Sequence, residues 1–149
     1  MNHFQHQWAN WQWACRFTRM HATLAYVVVF IGGGLGSALR FGVGRISLSA
    51  FGPNFPIGTL MVNIVGCFVL GLVTGWIGSR SAGLDRSITL FLATGVLGGF
   101  TTFSAFALDA VTLSERGDYL LATGYVLASV LASIVGLIAG LALMRTAAT

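Results

Sequence analysis

Residues 98–106 read GGFTTFSAF in the middle of an apolar stretch that otherwise predicts one long helix. Two adjacent glycines cost about 1 kcal/mol each relative to alanine inside a helix. The pair Thr101-Thr102 and the following Ser104 can hydrogen-bond backbone groups that a broken helix sets free. We therefore predict a helix break here. Irregular backbone persists inside a bilayer only under protein or along a water-filled cavity, so the stretch should lie at an interface or line a pathway.

The composition around this stretch is that of an integral membrane protein. Only 8% of the 149 residues are charged, and the mean hydropathy is +0.83. None of the apolar stretches alternates with the period of an outer-membrane barrel. We predict an all-α integral membrane protein with four transmembrane helices, the third broken mid-membrane, each close to the roughly 20 residues that cross a bilayer. The predicted spans are Ala22 to about Gly42, Ile57 to Gly78, Ile88 to about Leu113, and Tyr119 to Met144.

The charged residues and the cysteines argue against a nucleic-acid-binding protein, a disulfide framework and a CxxC metal site. A net charge of +4 is carried by arginines near the span ends, with no lysine, which is not a nucleic-acid-binding pattern. Cys15 and Cys67 lie in the tail and in mid-span, so they predict neither a disulfide framework nor a CxxC metal site.

Residues 1–21 differ in composition from the membrane domain predicted at residues 22–145. This polar and aromatic tail is either an interfacial or disordered segment, or an extension upstream of a true start at Met20, or a metal site using His3 and His6. Arg16, Arg19 and the apolar run that follows are also typical of a signal peptide. We reject that interpretation because the apolar character continues to Arg40.

The first two spans carry small and polar residues with helical spacing. Gly32 and Gly36 are in the register that lets another membrane helix approach closely. Arg40 is predicted at or just inside the far end of the first span, either as an interface anchor or in a charged vestibule. Thr59, Asn63 and Cys67 recur every four residues in the second span, and the Asn63 amide must face protein or water because unpaired amides are costly in hydrocarbon.

The last two spans carry a phenylalanine pair and a row of hydroxyls. Phe103 and Phe106 share a face just past the break, where they either pack or line a pathway. Tyr125, Ser129 and Ser133 form a hydroxyl row whose members either face a polar path or bond back to their own helix. We predict that small residues in the opposite register form a packing face, namely Ala128, Ala132, Gly136 and Gly140.

Whether the arginines favour one orientation in the membrane depends on where the chain starts. One side would carry five arginines (Arg16, Arg19, Arg80, Arg86, Arg145) and the other three (Arg40, Arg45, Arg116). A start at Met20 makes the count three against three, so the positive-inside rule no longer decides. Balanced flanks would permit insertion both ways, and with it an antiparallel homodimer. A lone four-span unit leaves little room for a pathway, so we expect the chain to form an oligomer.

Three motifs occur together in a specific order and spacing. They are GGLGSALRF at residues 33–41, GTLMVN at 58–63 followed by GCF at 66–68, and GGFTTFSAF at 98–106. Together they resemble the Fluc/CrcB family of fluoride channels over about residues 24–145. Ala105 stands where that family commonly has threonine, and the tail is outside the pattern.

The resemblance implies a dual-topology, antiparallel homodimer with two fluoride pores and a structural sodium ion between the broken third helices. Backbone carbonyls of Gly98 and Thr101 from both subunits would hold the sodium. The implied pore residues are Asn63, Phe103, Phe106, Thr59, Tyr125, Ser129, Ser133 and Arg40.

The implied activity is passive export of fluoride down its gradient through the bacterial inner membrane, which lowers cytoplasmic fluoride toxicity. The implied partners are fluoride, a second copy of the chain and membrane lipid, with no nucleic acid and no enzymatic reaction. An alternative is a small dual-topology, proton-coupled multidrug exporter, which needs an ionisable carboxylate within the membrane. Of the four acidic residues only Asp109 lies inside an apolar run. A haem-carrying subunit is excluded because the three histidines precede or begin the first span.

Overall fold

The computed structural model of the chain describes residues 22–79 and 86–147, and all regular structure in these two ranges is helical. Helix α1 spans Ala22–Phe51, α2 spans Ile57–Ser79, α4 spans Phe103–Glu115 and α5 spans Tyr119–Thr146. Three consecutive pieces, Arg86–Thr89, Leu90–Leu97 and Gly98–Phe100, run on as one helix over residues 86–100, which we call α3. The tail and its predicted metal site and start position lie outside the described residues.

Four segments of the described chain are long and apolar enough to cross a membrane, as the sequence predicted. They are Ala22–Phe51, Ile57–Gly78, Ser87–Glu115 and Tyr119–Thr146. The third of these contains α3, the break and α4.

The prediction that the first span ends near Gly42 is wrong, because α1 continues to Phe51. Helix α1 ends at Gly52, whose φ of +75° is left-handed and whose N–H donates to the Leu48 carbonyl at 3.0 Å. Glycine adopts that conformation without the steric cost that a Cβ brings. Arg40 therefore lies well inside α1 rather than at the end of the span.

The helix break is confirmed, but it lies at the two threonines and not at the glycines. Gly98 keeps helical angles (φ −65°, ψ −35°), whereas Thr101 (φ −76°, ψ 159°) and Thr102 (φ −154°, ψ 122°) are extended. Gly99 is needed for close packing, because a Cβ there would meet the Gly33 backbone of α1, with its Cα only 3.0 Å away. The glycines bring α1 against α3, and Thr102 ends the break as the N-cap of α4.

Small residues hold α1 against α3, as the spacing of Gly32 and Gly36 predicted. A Cβ on Gly32 would lie 3.0 Å from the Gly95 Cα, and one on Gly36 would meet the Val96 carbonyl. The facing part of α3, Leu90–Leu97, is a π-helix, which the sequence pattern did not predict.

Helix α5 packs its glycines against α2. A Cβ on Gly140 would meet the Phe68 carbonyl, and one on Gly136 would lie 3.3 Å from the Ile64 carbonyl. Ser133 lines a cavity together with Asn63, so the hydroxyl row faces α2 as well. The prediction of two opposite faces is wrong, because Ser129 and Gly136 are two helical turns apart and share a side.

Candidate functional site

The Asn63 side chain of α2 replaces the backbone partners that the break removes. Its Nδ2 donates to the Thr102 carbonyl at 3.0 Å, and the Thr102 N–H donates to its Oδ1 at 2.8 Å. The second N–H of the Asn63 amide is not used by either bond. The Thr102 backbone at the break is thus the partner that the Asn63 amide was predicted to need. One N–H of the amide remains for another acceptor.

The break interrupts the helical hydrogen bonding of several carbonyls, among them those of Gly98 and Thr101. In an unbroken helix the Thr102 N–H would donate to Gly98, and the Ala105 N–H would donate to Thr101. Instead the first donates to Asn63, and the second donates to the Thr102 Oγ1 at 3.2 Å. The Gly98 and Thr101 carbonyl oxygens are thus left without these donors, and Gly98 is exposed on the protomer surface.

The Arg40 side chain of α1 lies beside the carboxyl end of α3. Its Nε donates to the Gly99 carbonyl at 3.2 Å, and Ser37 Oγ reaches the same oxygen at 3.4 Å. A cation is favourable at this end of a helix because the last carbonyls carry partial negative charge. Arg40 therefore lies next to the break.

Arg40 also lines a cavity of about 330 Å³, which we call the arginine cavity. Thr59, Arg45 and Thr102 are among its polar lining residues. A neighbouring cavity of about 300 Å³, the loop cavity, shares Thr59 with it and extends to Asp109 and Arg116.

A third cavity, of about 290 Å³, lies between the break, α2 and α5, and we call it the phenylalanine cavity. Thr102 lines both this cavity and the arginine cavity. The ring centroids of Phe103 and Phe106 are 5.5 Å apart, but Phe103 is 79% exposed and Phe106 only 8%. The lining residues are Asn63, Cys67, Thr101, Thr102, Phe103, Phe106, Ser129, Val130, Ser133 and Ile134.

The aromatic row continues beyond the phenylalanine pair. Phe106 contacts Tyr125 at a centroid distance of 5.5 Å, and Tyr125 meets Phe55 edge-on at 5.6 Å. The Tyr125 hydroxyl donates to Asp109 Oδ2 at 3.3 Å. Sequence analysis missed Phe55, because its position in the turn-like GPNFP segment gave no reason to place it against α5.

The hydroxyls of Ser129 and Ser133 are buried without a protein partner in the described part of the chain. Other hydroxyls on these helices, such as those of Thr112 and Thr123, donate to the carbonyl four residues earlier at 2.9 Å. The back-bonding that the sequence left open for the row is therefore not adopted by Ser129 or Ser133. Both serines are among the residues that line the phenylalanine cavity.

The structure brings most of the predicted site residues together around the break. Asn63, Phe103, Phe106, Ser129 and Ser133 line the phenylalanine cavity, and Arg40 and Thr59 line the adjoining arginine cavity. The remaining site residue of the row, Tyr125, is 1% exposed and lies behind Phe106. Asp109, the carboxylate inside an apolar run, lies within α4 and lines the loop cavity.

Comparison with known proteins gives one consistent result. The family model described as "CrcB-like protein, Camphor Resistance (CrcB)" matches residues 27–141. The chain is 49% identical over 120 residues to "Fluoride-specific ion channel FluC 2" of Nitrobacter hamburgensis, covering 80% of this chain and 96% of that protein. It is 54% identical over 120 residues to "Fluoride-specific ion channel FluC" of Agrobacterium fabrum, covering 79% and 94%. A protein of the same name from Methylobacterium nodulans is 50% identical over 119 residues, covering 80% and 94%.

Proposed function

The chain belongs to the CrcB-like protein family, and from this membership and the geometry around its helix break we infer that it is a fluoride-specific ion channel. It is a multi-pass membrane protein with four membrane-spanning helices in the described part of the chain, and it is a transporter rather than an enzyme. The observation that carries the assignment in this chain is that Ser129 and Ser133 line one cavity with Phe103, Phe106 and Asn63, while their buried hydroxyls have no partner among the described residues.

These groups suit fluoride because the ion is small, strongly hydrated and a good hydrogen-bond acceptor. Ser129, Ser133 and the spare N–H of Asn63 supply donors that replace water. The edges of aromatic rings carry partial positive charge and can face an anion. None of the lining residues of the phenylalanine cavity is cationic. An ion that binds without a fixed counter-charge can leave again, which conduction requires.

The cavities suggest the order in which the ion meets these groups. Arg40 and Arg45 line the arginine cavity and attract an anion there. Thr102 lines both this cavity and the phenylalanine cavity, where Asn63 and the two phenylalanines would receive the ion. The ion would then pass the hydroxyls of Ser129 and Ser133 along α5. The driving force is the fluoride gradient alone.

The exposed surface around the break supports an antiparallel homodimer. Gly98 and Phe103 are exposed on the protomer, the latter by 79%, although they lie in the middle of the third span. Non-helical backbone at membrane depth must be covered by protein or water. A second copy of the chain in the opposite orientation would cover it and complete two pores. A start at Met20 would leave three arginines on each side, a count that permits both orientations.

The donor set at the break fits a structural sodium ion. The Gly98 and Thr101 carbonyls have lost their helical donors to Asn63 and Thr102 and are free to bind a hard cation through oxygen. In the dimer these two carbonyls of each subunit would hold the ion. Bound sodium would contribute a fixed positive charge and link the two broken helices.

We place the channel in the bacterial inner membrane, where it lowers cytoplasmic fluoride. The weak acid HF enters from acidic surroundings and dissociates in the cytoplasm, so passive exit of the anion is protective. The comparisons do not favour the proton-coupled multidrug exporter. In such an exporter Asp109→Asn would abolish transport of every substrate, whereas the channel should still conduct fluoride.

The proposal is tested by expressing the chain in a bacterium that lacks its own fluoride exporter. We expect growth at fluoride concentrations that stop the parent strain, and no protection against cationic drugs. Protection against the drugs without protection against fluoride would overturn the assignment. A Phe106→Ile variant should lose most of the protection while the protein still reaches the membrane.

A further inference from the structure

The carbonyls that the break sets free are not all available to a cation. In an unbroken helix the Gly99 carbonyl would accept from the Phe103 N–H, but α4 begins anew at Phe103 after the extended Thr102. Arg40 Nε donates to that carbonyl at 3.2 Å, and Ser37 Oγ lies 3.4 Å from the same oxygen. A carbonyl oxygen has two lone pairs, so these two donors leave none for a metal ion. A cation at the break must therefore use the neighbouring carbonyls.

The Arg40 side chain brings a positive charge to this place without an acidic partner. Its bond to Gly99 is the one hydrogen bond that its guanidinium makes within residues 22–79 and 86–147. The arginine cavity that it lines contains a second cation, Arg45, and no carboxylate among its described lining residues. Asp109 of α4 lines the loop cavity instead, where it accepts from Tyr125. The charge of Arg40 is therefore not offset locally, and away from bulk water it acts strongly on nearby ions.

A fixed positive charge discriminates between cations by their valence. The Coulomb energy is proportional to the charge of the ion, so Arg40 repels Ca²⁺ twice as strongly as Na⁺ at the same position. Ca²⁺ also binds through six to eight oxygens, which usually include carboxylates. The carbonyls of Gly98 and Thr101 are neutral ligands and cannot offset the repulsion. Gly98 directly precedes Gly99, so the guanidinium lies close to these carbonyls.

We propose that Arg40 determines the cation specificity of the break. Its hydrogen bond removes the Gly99 carbonyl from the possible ligands, and its charge excludes divalent cations. The site that remains takes a monovalent ion. In the dimer each subunit would bring one Arg40, which doubles the repulsion. This inference rests on the proposed sodium site but not on the conduction of fluoride.

The test measures which cations support the dimer. The purified full-length protein is transferred in detergent from sodium to N-methylglucamine, in fluoride-free buffer of constant ionic strength. Sodium chloride or calcium chloride is then titrated in, and size-exclusion chromatography with light scattering gives the fraction of dimer. The readout is the calcium concentration for half-maximal dimer divided by the corresponding sodium concentration. For the wild-type protein we expect this ratio to be at least about ten, because the divalent ion is repelled more strongly.

Substitutions of Arg40 separate its charge from its structural role. Arg40→Gln removes the charge but keeps an amide N–H, and we expect it to lower the ratio at least about tenfold. Arg40→Lys retains the charge and should retain the wild-type ratio. Arg40→Met keeps the apolar stem of the side chain and replaces the glutamine variant if that protein does not assemble. Arg45→Gln is the matched control, because Arg45 is exposed and lines the same cavity, so its loss should change the ratio much less.

The outcomes distinguish this inference from the proposed function. Calcium that supports the wild-type dimer as well as sodium overturns the inference without any variant. An unchanged ratio in the uncharged Arg40 variants, or an equal change in Arg45→Gln, also overturns it. A wild-type dimer that responds to no cation contradicts the proposed sodium site, while fluoride efflux from liposomes decides separately whether the protein is a channel.

Discussion

At the scale of single residues, Asn63 joins the structure of the break to its function. Both ends of its amide bond the Thr102 backbone, at 3.0 and 2.8 Å. The sequence predicted that this amide would have a partner but not which one, because the partner is a backbone group 39 positions away. An interhelical hydrogen bond and a place on the ion path were separate possibilities in the sequence. In the structure one side chain is in position for both.

We predict that Asn63→Ala destabilises the protein. The substitution leaves the partly buried Thr102 N–H and carbonyl without their Asn63 partners, at a cost of up to about 1–3 kcal/mol for each group. Unfolding of the purified protein in detergent measures the effect, with Val65→Ala, an exposed change on the same helix, as the control. Equal stability of the two variants would mean that water replaces the amide at no cost.

Ser129→Ala should slow fluoride efflux without lowering stability. Its Oγ has no protein partner, so its removal breaks no bond in the described structure. A hydrogen bond to a charged group contributes about 1.5–3 kcal/mol, so the rate should fall about tenfold or more. Thr123→Ala is the matched control on α5, because that hydroxyl donates to the Tyr119 carbonyl at 2.9 Å. A Ser129→Ala protein that unfolds more easily but conducts normally would assign the hydroxyl to packing.

At the scale of helices, the contact between α1 and α3 positions the break. Gly32 and Gly36 of α1 pack against the π-helical part of α3, and Gly99 of α3 packs against Gly33 of α1. The carboxyl end of α3 then receives Arg40 and Ser37 at the Gly99 carbonyl. The close packing of α1 against α3 thus places the Arg40 side chain at the carboxyl end of α3, within the third span.

The glycines of GGGLG at residues 32–36 give a matched pair of variants. A Cβ at Gly36 would meet the Val96 carbonyl, whereas one at Gly34 would have nothing within 4 Å. Gly36→Ala should therefore destabilise the protein by about 1–3 kcal/mol through overpacking. Gly34→Ala should be neutral or stabilising, because alanine is the better helix former. Detergent unfolding of both proteins tests this, and the reverse order would contradict the packing described for α1.

Much of the helix plan could be predicted, because composition and span length are local properties of the sequence. The four spans and the break are of this kind. The end of α1 at Phe51, the π-helix Leu90–Leu97 and the exact position of the break depend on contacts between helices. The sequence predicted a break close to Gly98 and Gly99. A helix-propensity argument does not predict that Gly99 packs against α1.

The sequence predicted which residues belong to the candidate site better than it predicted how they are arranged. The spacing of Tyr125, Ser129 and Ser133 predicted that they form one row. The family resemblance implied that Asn63 and the phenylalanine pair line the same ion path as this row. Spacing did not predict that Phe103 would be exposed and Phe106 buried, because that difference depends on the position of α5. It also put Gly136 on the wrong side of α5, since two helical turns bring a residue back to the same face.

At the scale of the whole molecule, the protomer leaves the region of the break uncovered. The exposed Gly98 and Phe103 and the carbonyls without helical donors lie together there. We infer that a second, inverted copy and a sodium ion cover this region. The ion would then stabilise the dimer, because a ligand that binds only the assembled state shifts the equilibrium toward it.

We predict that the dimer weakens when sodium is replaced by a large organic cation during purification. Readdition of sodium should restore the dimer, and potassium should be less effective because it is a larger ion than sodium. Size-exclusion chromatography with light scattering, in detergent, measures the oligomeric state. A dimer equally stable in all three salts would remove sodium from the account.

The most direct test of the channel is fluoride efflux from liposomes that contain the purified protein, recorded with a fluoride-selective electrode. The account predicts rapid release of fluoride down its gradient, with no proton gradient supplied, and negligible release from matched liposomes loaded with chloride. Equal release of both anions would contradict selectivity at the phenylalanine cavity. Absence of fluoride release from correctly assembled protein would contradict the assignment as a fluoride channel.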